Sequence, residues 1–327
     1  MFLNTLAMGT LISISSYSWF AMWIGLEINM LSFIPLMNES KNSSSSEASL
    51  KYFIVQAISS MIILFSFMIS LILMDSLTHL KTPLEIILNS ALLTKMGAAP
   101  FHFWFPEIIE GLSWINSLIL LTWQKIAPMI LIMYNFSTNL FFCFIISSSM
   151  IISGLKSWNQ TSVKKILAFS SINHIGWMLS IMMFNQSMWL FYFSFYSFVT
   201  ICLISMFKKF SISSILSFFD ILNSNKSVKV FFFLNFLSMG GLPPFLGFFP
   251  KWMILKIILS HDYFFLAFIM IFFTLIMLFV YIRLLFQALT LKINESKKFP
   301  LKINFTPNFL SFLNLSGLVI FSMLTNF

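Results

Sequence analysis

Charged residues are scarce in this chain of 327 residues, at 9% of the total, whereas hydrophobic residues make up 59%. Soluble domains carry about 25% charged residues, so this composition excludes a soluble fold. Apolar runs of about 18 or more residues follow one another from end to end, which is the length that a helix needs to cross a bilayer. We therefore predict an all-α fold, a polytopic transmembrane helical bundle.

Residues that commonly hold cofactors are also few. The two cysteines, Cys143 and Cys202, lie far apart in apolar runs, and the four histidines form no metal-binding pattern. The glycine-rich signatures of dinucleotide sites and P-loops are absent. The sequence therefore predicts that this chain itself binds no nucleotide, flavin, haem, metal or iron–sulfur cluster.

The hydropathy pattern predicts about eleven spans. The first two form a tight pair around Gly25, and the segment between the eighth and ninth is predicted to lie at the membrane interface. The predicted bounds are about 3–22, 24–37, 50–74, 84–106, 113–135, 140–155, 163–184, 188–207, 229–257, 263–286 and 308–326.

The positions of the lysines give these spans an orientation. If the spans alternate from the N-terminus, Lys81 is the only lysine in a loop on the far side. Basic residues favour the cytoplasmic or matrix side, so the N-terminus is predicted to lie there. The net charge of +9 then reflects topology and contact with anionic lipid, not nucleic acid. The loops on the N-terminal side hold Lys41, Lys51, Lys156, Lys164, Lys165, Lys208, Lys209, Lys226, Lys229, Lys292, Lys297, Lys298 and Lys302.

Two of the apolar runs contain the same interruption. The segments 97–106 (GAAPFHFWFP) and 241–250 (GLPPFLGFFP) are identical at five positions with the same spacing. Lys95 precedes the first break and Lys251 follows the second. Broken helices at corresponding positions of two halves indicate the transport site of a repeat-built transporter, and the alternative is a chance match among residues common in membrane helices.

Charged residues within the spans are the candidate site residues. Glu27, in the second span, needs protonation or a cation nearby, and Lys95 is the predicted partner. The alternative is a static ion pair with a structural role. Lys125 lies in the fifth span before Pro128, which is expected to loosen the helix after the lysine. Burial disfavours the charged form of a lysine, so that Lys125 could exchange a proton near neutral pH.

Histidines and further charges complete the candidates. His174 is a candidate proton carrier because the unperturbed histidine side chain titrates near neutral pH, and the alternative is a histidine with a structural role. His102, beside the first break, ranks lower. Glu107 and Glu110 are either a proton exit or a solvated helix end, and Lys256 is expected to extend its ammonium towards the interface.

The predicted proton path consists of Glu27, Lys95, Lys125, His174 and Lys251, which are dispersed over separate spans. Such a distribution favours a lateral proton path over one compact substrate pocket. A change of charge near Glu27 and Lys95 would alter the proton affinity of Lys125, which would pass a proton towards Lys251.

The segments WIGLEIN, LLTKMGAAPFHFW, LLTWQKIAP, NQTSVKKILAFSSINHIGW and GGLPPFLGFFPKW occur in that order around these residues. Together they resemble the mitochondrial NADH dehydrogenase subunit 2 family, antiporter-like subunits of respiratory complex I. The resemblance covers most of the chain, but beyond about Arg283 it extends only to hydropathy.

This resemblance implies a single antiporter-like domain over residues 1–327, with two inverted repeats that each contain a broken helix. It implies that the first three of the family's fourteen helices are missing. It also implies that Glu27, Lys95, Lys125 and Lys251 form the polar axis of a proton-translocating subunit in the mitochondrial inner membrane.

The same resemblance gives the partners as other complex I membrane subunits, including neighbouring antiporter-like subunits, and inner-membrane lipids. NADH, FMN, iron–sulfur clusters and ubiquinone would be used elsewhere in the complex. Two alternatives remain: a free-standing cation/proton antiporter, and a scaffold subunit that has lost proton transfer.

Overall fold

A computed structural model describes residues 1–38, 42–72, 81–136, 139–224, 226–243 and 245–290. The elements in this part are α-helices, one 3-10 turn and an isolated bridge between Ser162 and Ser214, which confirms the all-α prediction for the described residues. In chain order the helices are α1 Phe2–Ser15, α2 Trp19–Met37, α3 Ser43–Ile72, α4 Lys81–Met96, α5 Trp104–Gly111, α6 Trp114–Leu121, α7 Ile126–Tyr134, α8 Asn139–Ser157, α9 Val163–Met182, α10 Gln186–Lys209, α11 Ile215–Ser224, α12 Lys226–Gly240, α13 Phe248–Ser260 and α14 Phe264–Thr290.

Six helical segments in the described part are long and apolar enough to cross a membrane. The predicted count of eleven spans is not confirmed. The fourth and ninth predicted spans are each divided into shorter helices, α1 has 14 residues, and the predicted span at 308–326 lies outside the described residues. The six segments are Trp19–Met37, Ser43–Ile72, Trp114–Tyr134, Asn139–Ser157, Gln186–Lys209 and Phe264–Phe286.

The chain divides into two compact units, and the boundary between Ser148 and Ser149 falls within α8. In unit 1, α1 packs against α2 and α7, while α3 packs against α2, α4 and α5. In unit 2, α9 packs against α10, α13 and α14, while α12 packs against α10, α11 and α14. The core of unit 2 includes a cluster of aromatic rings formed by Phe207, Phe218, Phe232, Phe236 and Tyr281.

Serine hydroxyls within these helices are satisfied by their own backbone. Ser13, Ser59 and Ser170 each donate to the carbonyl oxygen three residues earlier at 2.7–2.8 Å, and many other helical serines do the same. A hydroxyl bonded in this way adds little polar surface, which explains how apolar helices can contain so many serines.

The first helix boundary differs from the prediction. The chain turns at residues 16–18, where the Ser18 hydroxyl accepts a hydrogen bond from the Ala21 N–H and caps α2. Gly25, around which the two spans were predicted to pair tightly, lies inside α2 and faces Gly9 of α1. Small residues let membrane helices approach closely, so this glycine allows packing and does not end a helix.

Replacing Gly25 with alanine is expected to separate α1 from α2. A Cβ atom at Gly25 would lie 2.5 Å from the Ser13 backbone nitrogen and 2.8 Å from the Gly9 carbonyl oxygen, and neither atom can move alone. We expect a loss of about 1–3 kcal/mol, measured as earlier thermal dissociation of the detergent-solubilised protein. Gly154→Ala is the control, because its new Cβ would meet the movable Phe273 ring at 3.0 Å. Equal effects of the two variants would contradict this prediction.

Candidate functional site: buried lysines at two helix breaks

The break in unit 1 begins where α4 ends. Gly97 has φ +74°, and the Ala98 N–H donates to the Leu93 carbonyl at 3.1 Å. Glycine adopts this left-handed conformation without strain and commonly ends helices in this way. Neutral side chains bond two of the last carbonyls of α4. The Trp104 indole N–H donates to the Thr94 carbonyl at 3.0 Å, and the Gln56 side-chain amide donates to the Lys95 carbonyl at 3.2 Å.

The break in unit 2 has the same backbone turn but a charged cap. Gly241 has φ +79°, and the Leu242 N–H donates to the Leu237 carbonyl at 3.3 Å. The Lys251 ammonium donates to the Met239 and Gly240 carbonyls, both at 3.0 Å. These carbonyls form the negative end of α12, where a cation is favourable. The candidate lysine of unit 2 therefore binds the broken helix directly.

Glu27 and Lys95 lie near one another in unit 1. Lys95 is in the last turn of α4 with 6% exposure, and Glu27 on α2 interacts electrostatically with it and with Tyr52. No salt bridge of 4.0 Å or less joins Glu27 to Lys95, and the buried Oε1 atom of Glu27 accepts no hydrogen bond from the described residues. The predicted partners therefore interact across a gap and not by direct contact.

A small cavity adjoins Lys95. Its volume is about 10 Å³, roughly the space that one water molecule needs. Three side-chain amides line this cavity. The Gln124 amide donates to the Asn29 side-chain oxygen at 3.0 Å, and Gln56 is the third. The remaining lining residues are Leu26, Met30, Tyr52 and Pro128. These amide side chains were not singled out in the sequence, although an amide within an apolar run is a signal that could have identified them.

Lys125 ends a 3-10 turn, Trp123–Lys125, between α6 and α7. The prediction that Pro128 loosens the helix after the lysine was wrong, because the interruption comes before it. Proline lacks an N–H and its ring clashes with the carbonyl four residues earlier, that of Gln124, which accounts for the earlier position. Lys125 is only 1% exposed, and its Nζ atom lies 5.8 Å from the centre of the Phe105 ring. The α4 helix packs against this turn, so Lys95 and Lys125 lie on adjacent elements.

The candidates in unit 2 lie on the adjacent helices α9 and α13. His174 is buried in α9, with Nδ1 2.8 Å from the Tyr192 hydroxyl. Lys251, in the first turn of α13, has its Nζ atom 5.9 Å from the centre of the Trp177 ring, also on α9. Cation–π attraction acts at such distances. Tyr192 and Trp177 were not predicted, since nothing distinguishes them from the other aromatic residues of the sequence.

The lower-ranked residues have mixed environments. His102 is buried in the first break, with Nδ1 3.2 Å from the Pro100 carbonyl. Glu107 is exposed and lies 3.0 Å from Lys51, an arrangement that fits a solvated helix end. Lys256 is exposed, and the expected extension of its ammonium towards the interface stays a prediction. No group of three or more His, Cys, Asp or Glu residues that could hold a metal occurs within the described ranges.

Comparison with known proteins identifies the family. The family model described as NADH:quinone oxidoreductase/Mrp antiporter, TM, matches residues 16–278. NADH-ubiquinone oxidoreductase chain 2 of Anopheles gambiae is 47% identical over 331 aligned residues, which cover 99% of this chain and 96% of that protein. This chain belongs to the NADH-ubiquinone oxidoreductase chain 2 family. The residues around the breaks and the buried lysines lie within the matched region.

Solved structures share the fold of this chain 2 family member. A chain of respiratory complex I from Thermus thermophilus matches with a TM-score of 0.82 and 21% identity, covering 97% of this chain and 77% of that one. A chain of the Mrp complex from Dietzia sp. matches with a TM-score of 0.74 and 18% identity, covering 86% of this chain and 59% of that one. At these identities the likeness establishes the fold alone.

Proposed function

We propose that this chain is a core membrane subunit of proton-pumping NADH:ubiquinone oxidoreductase, complex I, and contributes one proton-translocation path. The observation that carries the proposal is the contact between Lys251 and the carbonyls of the second helix break. A buried ionisable group at broken backbone marks a transport site in a membrane protein. The chain 2 family membership supplies the reaction to which that transport is coupled.

Within unit 1, the proposed path uses Glu27, Lys95 and Lys125. Glu27 and Lys95 interact without direct contact, so a change in charge on either one alters the field at the other. Lys125 lies next in the path, on the turn against which α4 packs. Loss or gain of a proton near Glu27 therefore changes the proton affinity of Lys125 through electrostatic coupling.

Within unit 2, the proposed path uses His174 and Lys251. Met239 and Pro250 line the cavity beside His174, and the Met239 carbonyl accepts a hydrogen bond from Lys251. One water molecule in this cavity would bring His174 and the second break into a common hydrogen-bonded region. Each coupling step requires only about 1–3 kcal/mol.

The proposed setting is the mitochondrial inner membrane, with the N-terminus on the matrix side, and the whole chain as one antiporter-like domain of two inverted repeats. The proposed partners are other complex I membrane subunits, neighbouring antiporter-like subunits among them, and membrane lipids. NADH, FMN, iron–sulfur clusters and ubiquinone belong to other parts of the complex, and no proton step assigned to this chain passes through them.

A free-standing cation/proton antiporter is the second candidate, because the matching family model also covers Mrp antiporters. A native gel of source membranes in mild detergent separates the two. We expect this chain to migrate with a very large complex that stains for NADH dehydrogenase activity. Migration as a small species without that activity would refute the subunit proposal and favour the antiporter.

A further inference from the structure

A buried tyrosine contacts the histidine of unit 2. The Tyr192 hydroxyl on α10 lies 2.8 Å from Nδ1 of His174 on α9, and the two residues are 3% and 6% exposed. This distance is that of a good hydrogen bond. Because both groups are removed from water, the loss of either partner would leave a buried polar group to be satisfied in another way.

The pair borders a cavity of about 20 Å³, which has room for one water molecule. Tyr196 and Ser238 also line it, together with apolar residues such as Phe195 and Val199. Tyr192 therefore has His174 as a hydrogen-bond partner and also lines a small, mostly apolar cavity.

A hydroxyl can respond to a change in the protonation of histidine. A tyrosine hydroxyl both donates and accepts, whereas a neutral imidazole has one donor and one acceptor nitrogen and an imidazolium has two donors. Tyr192 can donate to the neutral His174, but it must accept from the protonated ring. Its own O–H then needs a new acceptor, and one water molecule bound in the cavity would supply it. No proton has to leave the tyrosine in this exchange.

We propose that Tyr192 is a positioning residue for His174, which holds the ring in place and keeps Nδ1 hydrogen-bonded in both protonation states. This inference rests on the proposed function, in which His174 carries a proton. It assigns a role to a residue outside the predicted path, and it names water as the ligand of the adjoining cavity.

Another buried tyrosine provides a matched control. The Tyr281 hydroxyl on α14 is hydrogen-bonded to Ser170, and Tyr281 is 2% exposed. Serine does not change its protonation state, so this hydrogen bond does not have to reverse during proton transfer. Tyr281→Phe therefore removes a buried hydroxyl from the same unit but leaves the hydrogen bond between Tyr192 and His174 in place.

The test is a double-mutant cycle in the assembled complex. We expect Tyr192→Phe to lower the rate of NADH-driven proton transfer about fivefold, the factor that corresponds to the net free energy of one hydrogen bond. Tyr281→Phe should lower this rate less than about twofold. If Tyr192 acts through His174, adding Tyr192→Phe to His174→Gln should cause no further loss. Rates are normalised to the amount of complex on a native gel.

The possible outcomes separate the two proposals. If His174→Gln leaves proton transfer intact, the proposed role of His174 fails and the role of Tyr192 fails with it. If His174→Gln lowers the rate but Tyr192→Phe does not, only the present inference is overturned. Additive losses, or failure of Tyr192→Phe alone to assemble, would show that Tyr192 is structural and would also overturn it.

Discussion

Lys125→Met is expected to lower coupled proton transfer about 100-fold while the complex still assembles. General acid–base groups contribute roughly this factor or more, and methionine has no proton to pass on. Assembly should survive, because methionine fills a similar volume and burying a charged group costs free energy that methionine does not incur. The measurements are NADH-driven acidification by membrane vesicles and the amount of complex on a native gel.

The control for Lys125→Met is Lys256→Met, which removes the same group from an exposed position of α13. It should retain proton transfer within about twofold, as expected for a surface substitution. If Lys125→Met complexes transferred protons as rapidly as the control, the chain would be a scaffold that keeps the fold without the transport. Loss of assembly with Lys125→Met would instead indicate a structural lysine.

Gly247→Ala is expected to prevent the second break from packing, with a loss of more than about 3 kcal/mol, beyond the usual cost of overpacking. A Cβ atom at Gly247 would overlap the Ser238 carbonyl oxygen and lie 2.8 Å from its carbonyl carbon. Both atoms belong to the backbone of α12 and cannot turn aside. The measurement is the fraction of this chain found in the full-size complex.

Gly240→Ala is the control at the same break. Its new Cβ would meet only side-chain atoms of Leu278, the nearest at 3.3 Å, and these can shift. Assembly of Gly240→Ala should therefore stay near the parental level. Normal assembly of Gly247→Ala would mean that α12 and α13 separate easily, contrary to the close backbone contact described here.

The two breaks could be predicted from sequence because their cause is local. A glycine in the left-handed conformation ends each preceding helix, and the motif occurs twice with the same spacing. The candidate lysines and His174 could also be found, because an ionisable group within an apolar run is rare. Their burial agrees with that expectation, while their roles as proton carriers stay predictions.

The remaining features depend on contacts between distant segments. The tight pairing around Gly25 was predicted, but the residue that approaches it, Gly9 on another helix, is seen only in the structure. Tyr192 is one of seven tyrosines, and only the packing of α10 on α9 places it beside His174. The 3-10 turn that ends at Lys125 is explained by Pro128, but the sequence had suggested that Pro128 loosens the helix after the lysine.

The capping of the two breaks has a consequence for how each could move. The carbonyls of Thr94 and Lys95 are held by an indole and an amide, whose bonds do not depend on pH. Those of Met239 and Gly240 are held by an ammonium that can lose its proton. By reciprocity, any force that opens the second break changes the proton affinity of Lys251, and any change in its protonation alters the stiffness of that break. At the first break the last carbonyls of α4 are bonded by neutral donors, so release of a proton from Lys251, if it carries one as proposed, would be coupled to the end of α12 and not to the end of α4.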